Sequence, residues 1–570
     1  MKKSMKRTAL AMSFLLGISM VTAGCSGGSG GTAPDETAAV ETDVQGAQNT
    51  QVEENVQDTE AGAAAAENTL PICEAGAVEL TYAGYDSWLP NYSYADGLPV
   101  WNEFEKRTGV KINYEVYPYS EWESAVQIRL ASGESLPDIT QIPPAFTNTG
   151  VMKYAQDGVI IQLDELIDQY APNIKRLLET DPYFASMMYA PDGHIYSVMD
   201  VMYPINEYVP VSIAIRKDWL DKLNLEEPEN FEDWIEVLTA FATQDPNGNG
   251  IQDEIPLLSH DMEGTVGIFG TGGGFPYTAT NDNRYAYDEN GKARFLFATE
   301  EAKGVLEFLN RLYSQGLIYK ELQAQNDVLE SYIAQDVVGA YCGQPVDWLS
   351  RANSLAVDAC PDVEYVMIAP PAGGSGSRNI SMRFPTGTYY GITSACEDPV
   401  SAIRWIDYVG YSEEGNLLKD YGIEGETFVF DEDGNPQFTD YIMNNPDGYS
   451  PHDACRTVGA APAILVYDTP VNFLQKYEGS IVEECSRNLA QYMVDAQPMM
   501  LPSIEENNTY NSIWPDLQTY YTEAIYKFIS GAEPLDNFDK YLQTMDDIGL
   551  QEVLDIKTAQ YQRYLEATQK

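Results

Sequence analysis

Oxygen-bearing side chains crowd one stretch of the chain, Asp245-Pro246-Asn247-Gly248-Asn249-Gly250-Ile251-Gln252-Asp253-Glu254. They stand at its first, third and fifth positions, then at the ninth and tenth, with glycine at the sixth. Calcium takes about six to eight oxygens, and alternate Asp and Asn on a tight loop bring them to one point. Gly250 allows the sharp turn that such wrapping needs. An EF-hand would carry a bidentate Glu at its twelfth position, where this chain has Pro256. The residues therefore fit a calcium loop of another kind, or a plain turn, since Asp-Pro-Asn-Gly turns readily without metal.

A second chemistry is suggested by rings. The chain has 39 Tyr and 8 Trp. Aromatic faces cover the C–H patches of a sugar, while carboxylates, amides and Arg meet its hydroxyls. Tyr85 and Trp88 follow a strand pattern. Asp347 and Trp348 follow another, in a stretch read as loop. Arg383 and Tyr389 lie in a Gly/Pro-broken loop before the strand at Ile392. Tyr203 and Asn206 precede the strand at Val211. These eight are the candidate ligand contacts. Trp219 and Trp234 sit on amphipathic helices and read as core. Asp138 reads as structural.

The elements that must position these groups follow from pattern. Val78–Tyr82 alternates as a strand, Val100–Lys106 is helical, Val110–Tyr117 is a strand and Ser120–Ala131 an amphipathic helix. A further strand begins at Leu136–Ile139. Strand and helix in alternation predict an open α/β sheet, whose ligands bind at the carboxyl ends of strands. A second segment opens with strand Ser212–Ile215, followed by helices at Phe231–Thr243 and Ala298–Gly316. Tyr332–Cys342 reads as strand, and Ala402–Val409 as a helix interrupted by Arg404 and Asp407. Asn511–Glu566 reads as helices broken at Gly531, Pro534 and Gly549.

The first 24 residues read as a signal peptide. Lys2, Lys3, Lys6 and Arg7 precede an apolar run from Thr8 to Val21, too short to span a bilayer. Ala23-Gly24-Cys25 resembles a bacterial lipobox, with Thr22 where Leu is commoner. Cys25 is then the lipidation site, and the protein is anchored to the outer face of the cell membrane. An ordinary secretory signal is the plainer alternative. Residues 25–76 form an acidic tether rich in Gly, Ser and Ala, without Lys or Arg, that cannot bury a core. The body occupies 77–570.

Charge excludes one class of partner. The chain has 87 acidic and 33 basic residues, a net charge of -54. Nucleic acid needs a basic patch, so none is expected as partner. Such acidity serves solubility first.

Several stretches carry a family resemblance. Leu130-Ala131-Ser132-Gly133-Glu134-Ser135-Leu136-Pro137-Asp138-Ile139 resembles the "ASGDLPDI" stretch of the family 1 extracellular solute-binding proteins of ABC importers. Ile215–Leu223 is similar to their "RKDWLDKLGL" segment, with Asn224 in place of its Gly, and Pro228, Phe231 and Trp234 continue the match. Lys527-Phe528-Ile529-Ser530-Gly531 resembles their "KFIxG", and Tyr561-Gln562-Arg563-Tyr564 their closing "AYDRY" helix. The likeness spans most of Val78–Leu565.

The resemblance implies an α/β, two-lobed, periplasmic-binding-protein-like fold with a hinge and a central ligand cleft. The first lobe would span about 77–205 plus a later segment, the second would start near 211, and C-terminal helices would fill about 511–566. It implies a carbohydrate ligand, ABC permease subunits as partners and a monomer. Alginate-oligosaccharide-binding members carry structural calcium in a similar loop, away from the sugar. Residue by residue, that gives Asp245, Asn247 and Asn249 as side-chain ligands, Ile251 through its carbonyl, and Asp253 and Glu254 through their carboxylates.

Two rival functions stay open: a secreted polysaccharide-degrading enzyme, and a binding protein for peptides or another organic solute. Glycosidases need two carboxylates at a set spacing, but so acidic a chain always offers some pair. The body has no Gly-x-Ser-x-Gly elbow, and His194, His260 and His452 lack metal-ligand or triad spacing. A non-enzymatic binding protein is therefore expected, with His194 a turn residue. The cysteines after Cys25 are Cys73, Cys342, Cys360, Cys396, Cys455 and Cys485, and their pairing is undecided.

Overall fold

The computed structural model describes residues 69–89, 91–144, 148–202, 211–260, 262–271, 284–322, 324–372, 378–381, 388–468, 475–494 and 500–568. In chain order its principal strands are β1 (Val78–Tyr85), β2 (Val110–Tyr117), β3 (Ile139–Ile142), β4 (Val198–Met199), β5 (Val201–Met202), β6 (Val211–Arg216), β7 (Ile255–Ser259), β8 (Val338–Pro345), β9 (Tyr365–Ile368), β10 (Ile380–Ser381), β11 (Tyr389–Ile392), β12 (Tyr467–Asp468) and β13 (Met493–Val494).

Two sheets result. The first has the order β2-β1-β3-β11-β4 and the second β9-β6-β8-β7. β1 runs parallel to β2 and β3, with helices Pro99–Thr108 and Tyr119–Ser132 as the intervening crossovers. β6 is central in its sheet and is buried at every residue, as expected of a strand covered on both faces. Each sheet has its own core. Leu80, Trp122, Ile142, Tyr390 and Trp405 belong to the first. Ile213, Trp219, Trp234, Phe241 and Tyr341 belong to the second.

The chain passes repeatedly between these cores. It leaves the first after Val201, returns at Tyr389, leaves again after Leu465, touches the first once more at Leu501, and ends in the second with Tyr510–Ile556. Short parallel pairs accompany the crossings: β5 with β12, and β10 with β13. β11 is antiparallel to β3, and β6 to β8. The amino ends of β6 and β11 therefore lie with the carboxyl ends of their neighbours. The crossings from β5 to β6 and from β9 to β11 join the carboxyl edges of the two sheets. This is a two-lobed periplasmic-binding-protein-like fold.

Most elements stand where pattern places them. Helix Phe231–Thr243 is capped by Asn230, whose side chain accepts from the backbone of Glu232 and Asp233. Asn224 closes helix Lys217–Leu223 in the left-handed region, φ 55°. That conformation explains a Gly at the matching family position, and Asn is the next residue to tolerate it. The C-terminal region does break at Gly531 and Gly549, giving helices Ile504–Ser530, Phe538–Ile548 and Leu550–Thr568. Trp219 and Trp234 are core. Asp138 accepts from the backbone and hydroxyl of Thr81 at 2.7 and 2.8 Å. His194 follows a turn.

Three local expectations need correcting. β1 continues to Tyr85 because β2 pairs with it that far, Tyr85 opposite Tyr117. Tyr332–Ala334 is the end of helix Asn326–Ala334, where Leu329 and Ile333 bury one helical stripe. Trp348 is not in a loop but opens helix Trp348–Ala356. The six cysteines described are all free thiols.

The two polar interruptions of helix Pro399–Tyr411 have distinct tasks. Arg404 donates to the carbonyls of Thr69 and Ile72. Asp407 accepts from Ile174 N at 2.8 Å and Asn173 Nδ2 at 2.7 Å, closing the start of helix Pro172–Thr180. Burial pushes the Asp407 carboxyl up to about 6, against the pull of those hydrogen bonds. Asp200, between β4 and β5, is likewise pushed up to about 6 by burial. It accepts from Thr388 N, Tyr390 Oη and Val466 N.

A carboxyl whose folded pKa exceeds its unfolded value of about 3.9 stabilises the fold while protonated and loses that contribution as pH rises through the folded value. Between pH 4.5 and 7, wild type should therefore lose about 2 kcal/mol relative to Asp407→Asn in urea unfolding. A stability difference that stays constant over this range would refute the assignment.

Candidate functional site

At the carboxyl edge of the first sheet, β1 delivers Tyr85 and Trp88. Gln141 on β3 fixes the strand end, its Oε1 accepting from Tyr85 N at 2.7 Å. Gly84 makes room for it: a Cβ there would stand 2.2 Å from that oxygen. Asp86 Oδ1 then accepts from Ser87 N and Tyr94 N, folding the loop back on itself. Tyr85 is buried, its ring edge-on to Trp122 at 5.4 Å and to Tyr119 at 5.5 Å. Trp88 lies 5.2 Å from Tyr85 and 4.7 Å from Tyr119. Trp88 is 39% exposed and Tyr119 46%. Two large rings are thus open to solvent on a buried aromatic floor, which suits stacking against a flat, partly apolar ligand.

Tyr119 was not foreseen. The signal was present, since it follows the carboxyl end of β2 as Trp88 follows that of β1. The rule for strand ends applies to both.

At the carboxyl edge of the second sheet, β8 leads to Asp347 and Trp348 at the start of helix Trp348–Ala356. Trp348 is half-buried and meets Tyr341 edge-on at 5.4 Å. Tyr389, the first residue of β11, is fully buried between Ile142 and Met199. Its hydroxyl has no hydrogen-bond partner, and burial raises its pKa. Tyr389 and Tyr85 therefore shape the edge from beneath. Tyr203, Asn206, Arg383 and Cys25 lie outside the described residues.

The oxygen-rich loop precedes β7, at the opposite, amino edge of the second sheet. Asp245, Gly248 and Gly250 take positive φ of 48°, 73° and 77°. Asp245 Oδ2 accepts from Gly250 N. Asn247 Oδ1 accepts from Asn249 N, and Asn249 Oδ1 from Ile251 N. Asn249 Nδ2 donates to Asp253 Oδ1. The loop is tied down by Lys222 Nζ, which donates to the Pro246 carbonyl. It is also tied by Asn247 Nδ2, which donates to the Asp336 carbonyl at 3.1 Å. The Asp336 side chain pairs with the fully buried Arg216, which also grips Asp218.

Among the described residues no group of three or more His, Cys, Asp or Glu is disposed to hold a metal. Yet Asp245 Oδ1 and both carboxylate oxygens of Glu254 are buried without hydrogen-bond partners. Burial, then the Asp253 and Asp245 charges, push the Glu254 carboxyl up. Orphaned, mutually repelling oxygens fit a hard cation, with Asn side chains and a backbone carbonyl completing the shell.

A model of the bacterial extracellular solute-binding protein family matches residues 90–415. The fructooligosaccharide ABC transporter substrate-binding protein FusA of Streptococcus pneumoniae serotype 4 is 28% identical over 493 residues, 81% of this chain and 86% of FusA. The crystal structure of alginate-binding protein AlgQ2 without calcium ion superposes with a TM-score of 0.72 at 23% identity, over 86% of this chain and 99% of AlgQ2. A FusA EF-hand mutant from S. pneumoniae in complex with fructo-nystose gives 0.69 at 24% identity, over 86% and 99%. The matched family is one of solute-binding proteins rather than enzymes, and no helix among the described residues is long and apolar enough to cross a membrane. The chain belongs to the bacterial extracellular solute-binding protein family.

Proposed function

We propose that this protein is the lipid-anchored, extracytoplasmic substrate-binding component of a carbohydrate ABC importer. It captures an oligosaccharide between its lobes and hands it unchanged to the permease. The observation that carries this reading is the Trp88–Tyr119 pair, exposed at the carboxyl edge that the interlobe crossings share. Similarity to FusA and AlgQ2, whose names specify sugars, supports the ligand class. Tyr85 supports the platform from below, and Asp347 and Trp348 supply a carboxylate and a second ring from the other lobe. Tyr203, Asn206 and Arg383 are further proposed contacts, whereas Tyr389, fully buried, supports the edge from beneath. Ligand touching both lobes favours the closed state by its differential affinity.

Calcium is proposed for the Asp245–Glu254 loop as a brace. Asp245, Asn247, Asn249, Asp253 and Glu254 would bind through side chains and Ile251 through its carbonyl. A cation bound only to the folded state adds stability by mass action.

Tryptophan fluorescence with a panel of oligosaccharides tests capture. Saturable quenching with the sugar recovered intact is expected, and Trp88→Ala should weaken binding about tenfold, roughly 1.4 kcal/mol. Shortened sugars, or saturation only by peptides, would overturn the reading. EDTA should lower the melting temperature of wild type by several degrees and leave Glu254→Gln unmoved. An identical wild-type curve with and without EDTA leaves the loop a turn. Cys25→Ala should release the protein into the medium, and continued membrane retention counts against lipidation.

A further inference from the structure

The helix Pro451–Thr457 places His452 and Arg456 about one turn apart. The helix packs into the first core through Ala454 and Cys455. The His452 ring, however, lies nearly parallel to Tyr477, 6.2 Å away and tilted by 20°, and Tyr477 belongs to the second core. The contact therefore bridges the lobes. Beside Tyr477 stands Lys476, only 4% exposed, and before it Gln475, whose Nε2 donates to the Pro436 carbonyl at 3.1 Å.

Three polar atoms of this cluster are buried without hydrogen-bond partners: His452 Nδ1, Arg456 Nε and Gln475 Oε1. Leaving such atoms unpaired costs about 1–3 kcal/mol each, so a bound group that paired with them would be held firmly. The nearby carboxylates are Asp453 and Asp420. Asp453 takes Arg456 Nη1 at 3.2 Å and also accepts from Ser450, which leaves Nε unused. Burial first, then the positive charges of Arg456 and Lys476, hold the His452 imidazole neutral. Two cations beside one buried ring stand out in a chain of net charge -54.

The cluster adjoins the aromatic edge. Tyr449, just before the helix, meets Tyr92 edge-on at 6.2 Å, and Tyr92 lies in the chain segment that carries Trp88. The positive field of Arg456 also reaches Tyr94, whose hydroxyl accepts from Ala463 N.

We propose that His452, Arg456 and Lys476 form a subsite for a carboxylate carried by the captured sugar, with Gln475 Oε1 accepting from a neighbouring hydroxyl. Arg456 Nε, His452 Nδ1 and the Lys476 ammonium supply donors, and a carboxylate supplies two acceptor oxygens. Because the His452 helix packs into the first core and Lys476 precedes Tyr477 of the second, an anion there also ties the lobes together. This deepens the carbohydrate reading above and rests on it.

The test compares paired ligands on the full chain: oligomers of galacturonate, mannuronate and guluronate, and the methyl ester of each. Calorimetry should show at least one acidic oligomer binding tenfold or more tightly than its ester. Lys476→Met and Arg456→Met should each cut acidic affinity about tenfold and leave ester affinity within about twofold. The wild-type comparison needs no variant, so it decides even if a variant fails to fold. Equal affinity for acid and ester throughout overturns the subsite while leaving sugar capture intact. Sulfate bound with no preference for uronates would mean a free inorganic anion occupies the pocket and also overturns it. Failure of every sugar, acidic or neutral, would instead sink the proposed function.

Discussion

Two cores in one chain must be joined by backbone, and the joints decide how the molecule moves. Here they are marked by two parallel strand pairs, each only two residues long. Within each lobe, by contrast, strands of up to eight residues lie between helices and bury whole aromatic rings. Burial of apolar surface makes each lobe a stiff body, while short ladders oppose relative rotation weakly. A ligand that touches both sides then needs only a few kcal/mol of differential affinity to select one arrangement. The carboxyl edges are joined by the crossings, so the proposed ligand contacts lie beside the joints.

Legibility in the sequence followed the range of the interactions. Val110–Tyr117 and Phe231–Thr243 could be read to the residue, because alternation and capping are local. The Tyr332 and Trp348 misreadings were also local, where β-formers sat on helical spacing. What could not be read was convergence. Tyr119 joins Trp88 only through the pairing of β1 with β2, and Lys476 reaches His452 only after the chain has crossed between cores. Periodicity carries no information about such meetings. Nor did the cysteines reveal their state, since thiols packed singly into different environments look no different in sequence from half-cystines.

The buried charges show how one physical rule gives different outcomes. Arg216 is enclosed, yet it has two carboxylates and two aromatic rings around it, so its charge is retained. Asp200 and Asp407 are enclosed and accept hydrogen bonds from neutral donors, and burial makes them hold the proton more firmly. Desolvation acts on all three, and the partners determine the result. The acidic surface contributes little to these sites, because exposed charges are screened over about 10 Å.

The oxygen-rich loop and Trp348 lie at opposite edges of the second sheet. Asn247 holds the backbone just before β8, and β8 ends at Asp347 and Trp348. The second sheet is thus divided along its length, with the tied-down loop at one rim and the proposed ligand contacts at the other. Substitutions that retune the recognising rim leave the anchoring rim's hydrogen bonds and charges in place. Such a scaffold can exchange one solute for another by drift at the open ends of its strands, without passing through a sequence that no longer folds.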